Sequence, residues 1–502
     1  MNGVDFLSGM VPILRPLIRP GMRSQTISEP RPAMTIGDRG TVSAMIDLPW
    51  GPDDRLIQLS AEEFIRGGSE RLIGWSAADV EAHEVSLLFY GITNNTHLAA
   101  HTAYLMRLNT GGARAEVTAG DLTATARYFG TKGNNLSIVV QEDEPPINLP
   151  DDDPLPQTYT VMVLLETPVG HDVVSRQTIT DYSELQPRSE AEIAAMEEQD
   201  RRFGRPYRAQ YVIWGGTGTP QPQMALPLTG GTNGTSSYTA KWPSFRRELD
   251  FNRNWNVAAI NTLETSVLRN AVSFIRSLRE DESRGVVAAI PDGVLRGDYH
   301  GIIRVASRPV ILGREYSLLD SVLLVAGASA GASVLDSLTA GIIPEADDFY
   351  PHMSSREYEQ ALLSGAFVFR QAWNGGVAVE QDINSFRTFT LLLREEFSKN
   401  KVIRVLDMLK DAIRIAWERK YMGKVPNNQE GRDLFHADIH DLMYNAQQVG
   451  AIQDYRGMGD IEVRQGDMLD EVVVHLHTKP VDVMEKLYLT NFVRVQVRNQ
   501  AA

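Results

Sequence analysis

Four short runs, Val257 to Ile260, Val286 to Ile290, Ile302 to Ala306 and Val322 to Ala326, are apolar with hardly an interruption. A strand with one wet face alternates apolar and polar residues, so runs without alternation predict strands buried on both faces. Helical stretches such as Thr265 to Arg279 stand between them. Strands buried on both sides and separated by helices fit a mainly parallel sheet sandwiched between helical layers. The chain is therefore expected to be α/β at its centre, in a domain spanning 229–384.

The flanking segments differ from this centre. Pro12, Pro16, Pro20, Pro30 and Pro32 rule out a lasting helix or a central strand in residues 1–36, which predicts an extended arm. At ~3.3 Å per residue, 20 residues of it would reach about 65 Å, far enough to cross onto a neighbouring molecule. An N-terminal α/β region follows over 37–120. In it, Thr41 to Ile46 reads as a strand, Ser60 and Glu63 as a helix start, and Val85 to Tyr90 as a buried strand. Residues 121–228 read as a β insert with strands at Ser137 to Gln141, Tyr159 to Glu166 and Tyr207 to Trp214. One helix interrupts it, from Ser189 and Glu192 to Gly204. The acidic, proline-rich loop from Glu142 to Pro154 lacks the spaced ligands and glycine of a calcium loop and reads as a solvated hairpin loop.

The last segment, 385–502, is expected to be α+β. Helices are predicted near Asn400 to Tyr421 and from Asn428 to Val449, closed by Gly450, and strands over Glu471 to Thr478 and Leu487 to Arg498. In Phe492-Val493-Arg494-Val495-Gln496-Val497-Arg498 the valines fall on one face and the polar residues on the other. A strand of this kind needs a sheet edge to pair with. Val493, Arg494, Val495, Gln496 and Val497 are thus candidates for exchange between subunits, with pairing inside their own chain as the plainer alternative.

Composition narrows the function. The 502 residues carry a net charge of −15, which disfavours a protein that grips nucleic-acid phosphate by charge. The absence of Cys excludes disulfides, thiolate catalysis and Cys-ligated metals. The N-terminus lacks the basic start of a secretion signal, and the most apolar uncharged run, Ser321 to Leu335, is too short to span a bilayer. A soluble chain made in the cytosol, without membrane insertion, is the expectation.

Chemical motifs are few. Gly327-Ala328-Ser329-Ala330-Gly331 fits the G-x-S-x-G nucleophile elbow, with Asp347, Asp348 and His352 downstream, so a serine hydrolase using Ser329 is the alternative function. No oxyanion segment precedes it, and small residues also serve simply to let elements pack closely. His436 and His440 on a helix, with His475 and His477 on a strand, are a conceivable metal set, but the His-Ala-Asp-Ile-His spacing lacks the Glu of a zinc protease. Gly230 to Gly234 lacks the Lys of a phosphate-binding loop and reads as a linker turn. From Arg394 to Lys424, nine basic residues face five acidic ones. Helical spacing of Val402, Leu406, Leu409, Ile413 and Trp417 puts these residues toward the core and leaves Lys401, Arg404, Lys410 and Arg414 for the outer surface.

Several segments, in order, resemble one family. These are Ala126-Arg127-Tyr128-Phe129-Gly130-Thr131-Lys132-Gly133-Asn134-Asn135, Val379-Glu380-Gln381-Asp382-Ile383-Asn384-Ser385, Lys399-Asn400-Lys401-Val402-Ile403-Arg404, Tyr421-Met422-Gly423-Lys424-Val425 and Val481-Asp482-Val483-Met484-Glu485-Lys486-Leu487-Tyr488. They are similar to tail sheath proteins of contractile bacteriophages and related injection systems. The resemblance implies a subtilisin-like α/β domain without catalysis, a β-sandwich insert, a C-terminal α+β domain and exchanged terminal strands. It implies a structural protein and not an enzyme, with no cofactor or metal. Hexameric rings would stack into a helical polymer around an inner tail tube, with baseplate and tail terminator proteins at its ends and no direct contact with nucleic acid. Its place would be the tail of a virion or contractile particle made in the bacterial host cytoplasm. Lys401, Arg404, Lys410 and Arg414 would face the tube.

Overall fold

The computed structural model describes residues 39–144, 156–167, 170–202, 210–373 and 375–493. The expected arm at 1–36, most of the acidic loop and Arg494 to Val497 lie outside them.

A seven-stranded sheet forms the centre, in the order Ile57–Ser60, Thr102–Arg107, Thr41–Ile46, Val257–Ala259, Val287–Pro291, Ile302–Val305 and Ala366–Phe367. Only Ile57–Ser60 runs antiparallel to its neighbour. Val42, Ala44 and Ile46 face a core shared with the helices His83–Tyr90 and Leu318–Gly331. Met45, on the opposite face, meets Trp242, Phe245 and Leu268 from the helices Tyr238–Phe251 and Thr265–Glu280. Apolar residues on both faces are what made these runs unbroken. The stretches 37–120 and 229–384, expected as separate regions, contribute strands to this one sheet through the pairing of Val42 with Val257.

Two predicted strands are helices. Val85 to Tyr90 lies in the helix His83–Tyr90, and Val322 to Ala326 in Leu318–Gly331, where every residue from Ser321 to Ala330 is buried. A helix buried all round has no amphipathic period, so its residues read like a two-sided strand. The distinguishing signal is local: the Ser317 hydroxyl accepts from the Asp320 amide, while Asp320 accepts from the Ser317 amide.

The insert holds two sheets around one core. Gly170–Ile179, Tyr159–Thr167, Leu136–Glu142 and Gln223–Pro227 form the first, and Val212–Gly216, Leu122–Phe129 and Arg114–Ala119 the second. Val161, Val163 and Leu165 alternate inward to meet Ala124, Ala126 and Trp214. The helix Glu190–Arg202 interrupts it, with the Glu192 amide donating to Ser189 Oγ. Arg107 joins insert and central sheet. Fully buried, it donates to the carbonyls of Leu48, Gly51 and Phe129 and stacks 3.7 Å from the Phe129 ring centroid.

The C-terminal part packs the helices Asn400–Ala416 and Gln429–Gln448 against the hairpin Ile461–Gln465 and Val472–Leu476. Val405, Leu409, Ile439, Leu442 and Ile461 form its core. Asn428 accepts from the Gly431 amide to start the second helix, and Gly450, at φ +80°, follows its end.

Candidate assembly surfaces

The chain leaves the C-terminal fold at a defined point. The amide of Val481 donates to the Ala451 carbonyl, and Ile452 bridges Pro480. Glu485 is the last residue held. Its Oε1 accepts from Thr339 Oγ1 at 2.7 Å, and its Oε2 from Gln381 Nε2 at 2.6 Å and from the Lys399 ammonium. Burial works against this carboxylate's charge, but the three donors outweigh it and hold the group below the usual range.

Beyond Glu485 the predicted strand from Leu487 is absent among the described residues, and 486–493 has no regular structure. Leu487, Tyr488, Leu489, Phe492 and Val493 are each at least 80% exposed. Single exposed apolar residues are ordinary, whereas five within seven positions form a patch that calls for a covering surface. A strand exists only when paired, and among the described residues no sheet edge pairs with 487–493.

The basic helix is placed otherwise than expected. Lys401 is 5% and Arg404 2% exposed, so neither lies on the outer surface. Asn400–Ala416 is wedged between the central α/β layer and Gln429–Gln448, and the polar residues of its first half, Lys401, Arg404 and Asp407, meet protein and not water. Arg404 donates to Asp382 at 2.7 Å and to the Asp336 carbonyl at 2.9 Å. Asp407, on the same helix, receives Arg279 from the α/β layer. Burial holds the Lys401 and Lys410 ammonium groups below the ordinary lysine range. Lys410 and Arg414 are half-buried, and Arg414 reaches Asp411 and Glu418. Amphipathic spacing identified one buried face; a second, built of ion pairs, leaves no apolar signature.

The chemical motifs dissolve on inspection. Ser329 is 1% exposed inside a helix, with no strand-to-helix turn, so the hydrolase alternative loses its nucleophile. A Cβ on Gly327 would stand 2.1 Å from the Leu88 carbonyl oxygen, and one on Gly331 2.1 Å from that of Ala99. The small residues serve close packing. His352 pairs at 2.8 Å with Asp348 on the surface. His436 meets the Ile461 carbonyl, His440 meets the Tyr455 hydroxyl, and His475 and His477 are exposed on the hairpin. Among the described residues these four do not assemble a metal-ligand set.

Comparison with known proteins gives the assembly reading a family. Residues 254–385 match the model of the phage tail sheath protein central domain, and 394–494 that of the phage tail sheath C-terminal domain. The crystal structure of the sheath tail protein from Desulfitobacterium hafniense superposes with a TM-score of 0.72 at 27% identity, covering 93% of this chain and 99% of that one. The chain belongs to the tail sheath protein family. Family and fold are those of structural sheath proteins and not of enzymes. The phage-like element PBSX protein XkdK of Bacillus subtilis is 26% identical to this sheath protein over 515 residues, covering 97% of this chain and 99% of its relative. The fold extends to the helical sheath of the anti-feeding prophage in its contracted state, with a TM-score of 0.50 at 10% identity over 94% of the sheath protein. Within this mixed α/β, multidomain fold, no helix among the described residues is long and apolar enough to cross a membrane.

Proposed function

We propose that this sheath protein polymerises as stacked hexameric rings around an inner tail tube and contracts to drive that tube through the target cell envelope. The exposed apolar segment following Glu485 carries the proposal. It extends into the alternating Val493, Arg494, Val495, Gln496 and Val497, which add as a strand to a neighbouring subunit's sheet. The open edges of the hairpin Ile461–Gln465 and Val472–Leu476 suit such addition. Burying three valines at ~1.5–3 kcal/mol each gives an upper figure of roughly 4–9 kcal/mol per strand before ordering costs. Repeated along a tube, such strands keep the lattice connected while subunits slide.

In this account the seven-stranded layer is the non-catalytic subtilisin-like domain. Contraction needs no nucleotide, because the energy lies in the difference between two packings of the same subunits. The partners are further copies of the chain, the inner tube protein, and baseplate and tail terminator proteins. The site of action is the tail of a virion or contractile particle assembled in the bacterial host cytoplasm. With Lys401 and Arg404 committed to the fold, contact with the tube through this helix falls to Lys410 and Arg414. Negative-stain microscopy of purified chain tests the reading: tubes of stacked rings support it, and dispersed single subunits at every concentration and salt contradict it.

A further inference from the structure

The first turns of two helices on the same face of the central sheet bring together three side chains of metal-ligating chemistry. His83 and Glu84 open the helix His83–Tyr90, and Asp320 lies in the first turn of Leu318–Gly331. One donor atom from each lies within 4.8 Å of the other two, and His83 Nε2 is 3.7 Å from Asp320 Oδ1. The side chains of His83 and Asp320 are 31% and 14% exposed, so an ion can enter from solvent.

Charge at this place is uncompensated. Among the described residues no Lys or Arg comes within ion-pairing distance of Glu84, Asp320 or Asp47, a carboxylate close enough to act on Glu84. Asp47 Oδ1 is shielded from water and has no hydrogen-bond partner. Asp320 spends its other oxygen on the Ser317 amide, leaving Oδ1 to face His83. Carboxylates gathered in a partly dry pocket are stable only if protonated or matched by a cation.

We propose that His83, Glu84 and Asp320 form a binding site for a divalent transition-metal ion, zinc foremost. One imidazole nitrogen and two carboxylate oxygens suit zinc, whose bonds of about 2.0–2.2 Å put neighbouring donors about 3–4 Å apart, with a fourth position left for water. The 3.7 Å between His83 and Asp320 already meets that spacing. The ion cancels the repulsion among the acids and ties the start of one helix to the start of the other. It is a structural staple, independent of how the subunits assemble.

The test uses the full-length chain, stripped with a chelator and dialysed, then loaded with zinc and passed over a desalting column. One zinc retained per chain, with a raised unfolding midpoint, is expected. His83→Ala and Glu84→Gln should each weaken binding at least tenfold, while His436→Ala and His475→Ala leave it unchanged. Glu84→Gln keeps the shape and relieves repulsion, so it folds without metal and separates lost binding from lost structure. Asp320 is left intact because it caps its helix. Retention below a tenth of an equivalent, or equal retention by the His83→Ala, Glu84→Gln double variant, overturns the site.

Discussion

Arg279 and Asp407 meet through two parallel hydrogen bonds, 2.7 Å from Nη1 to Oδ2 and 2.8 Å from Nη2 to Oδ1, with their side chains 4% and 3% exposed. The pair joins the helix Thr265–Glu280 of the central layer to Asn400–Ala416 of the C-terminal part. Burial works against the arginine's charge, but Asp407 outweighs it and holds the guanidinium above its ordinary range. With Arg404 and Asp382 it makes the junction polar and directional, where apolar packing alone would let the helix slide.

Removing one partner of such a pair strands the other. Asp407→Ala or Arg279→Met should each lower unfolding free energy by about 3–5 kcal/mol, measured by denaturant titration. Replacing Arg279 with Met and Asp407 with Leu together should recover most of that loss. Equal destabilisation by the double variant would mean that the pair does more than satisfy itself.

The same junction predicts a pH response. Burial, then the charge of Arg279, lowers the His300 imidazole from the usual 6.5 to about 4, with Lys410 and Arg276 adding to the effect and Asp407 opposing it. Between these values the unfolded chain takes up a proton that the folded chain refuses. The contribution of His300 is therefore full above pH 6.5 and is lost as pH falls toward 4, with an upper figure of about 3 kcal/mol. Melting curves across this window should fall more steeply for the native chain than for His300→Gln. Parallel curves would remove His300 from the account.

Close packing around the buried helix Leu318–Gly331 makes a third prediction. Gly331→Ala places a methyl group 2.1 Å from the Ala99 carbonyl oxygen, a backbone atom that cannot swing aside. Destabilisation of about 1–3 kcal/mol is expected, from overpacking. Ser329→Ala should leave stability nearly unchanged, and an active-site phosphonate should not label Ser329. Labelling would restore the hydrolase reading.

What the sequence disclosed follows from the physics of each signal. Val257 to Ile260 and Val286 to Ile290 were legible because strands buried on both faces carry unbroken apolar runs. The same logic misread Val322 to Ala326, where the decisive sign was the Ser317 and Asp320 cap and not hydrophobicity. Lys401 and Arg404 were misplaced because spacing cannot foresee that Asp382, 22 residues away from Arg404, waits to pair with it. Glu485 gave no sign of its role, since its three partners come from separate stretches at Thr339, Gln381 and Lys399. The alternation beyond it reads in the sequence as a strand in need of a partner, and among the described residues none pairs with 487–493.

The central claim is that this tail links subunits, and truncation tests it most directly. A chain ending at Lys486 keeps the Glu485 anchor and every residue of the described cores. It should therefore melt as a folded subunit close to the full-length midpoint, yet form no tubes by electron microscopy under conditions where the full chain does. Normal tubes from the truncated chain would contradict strand exchange.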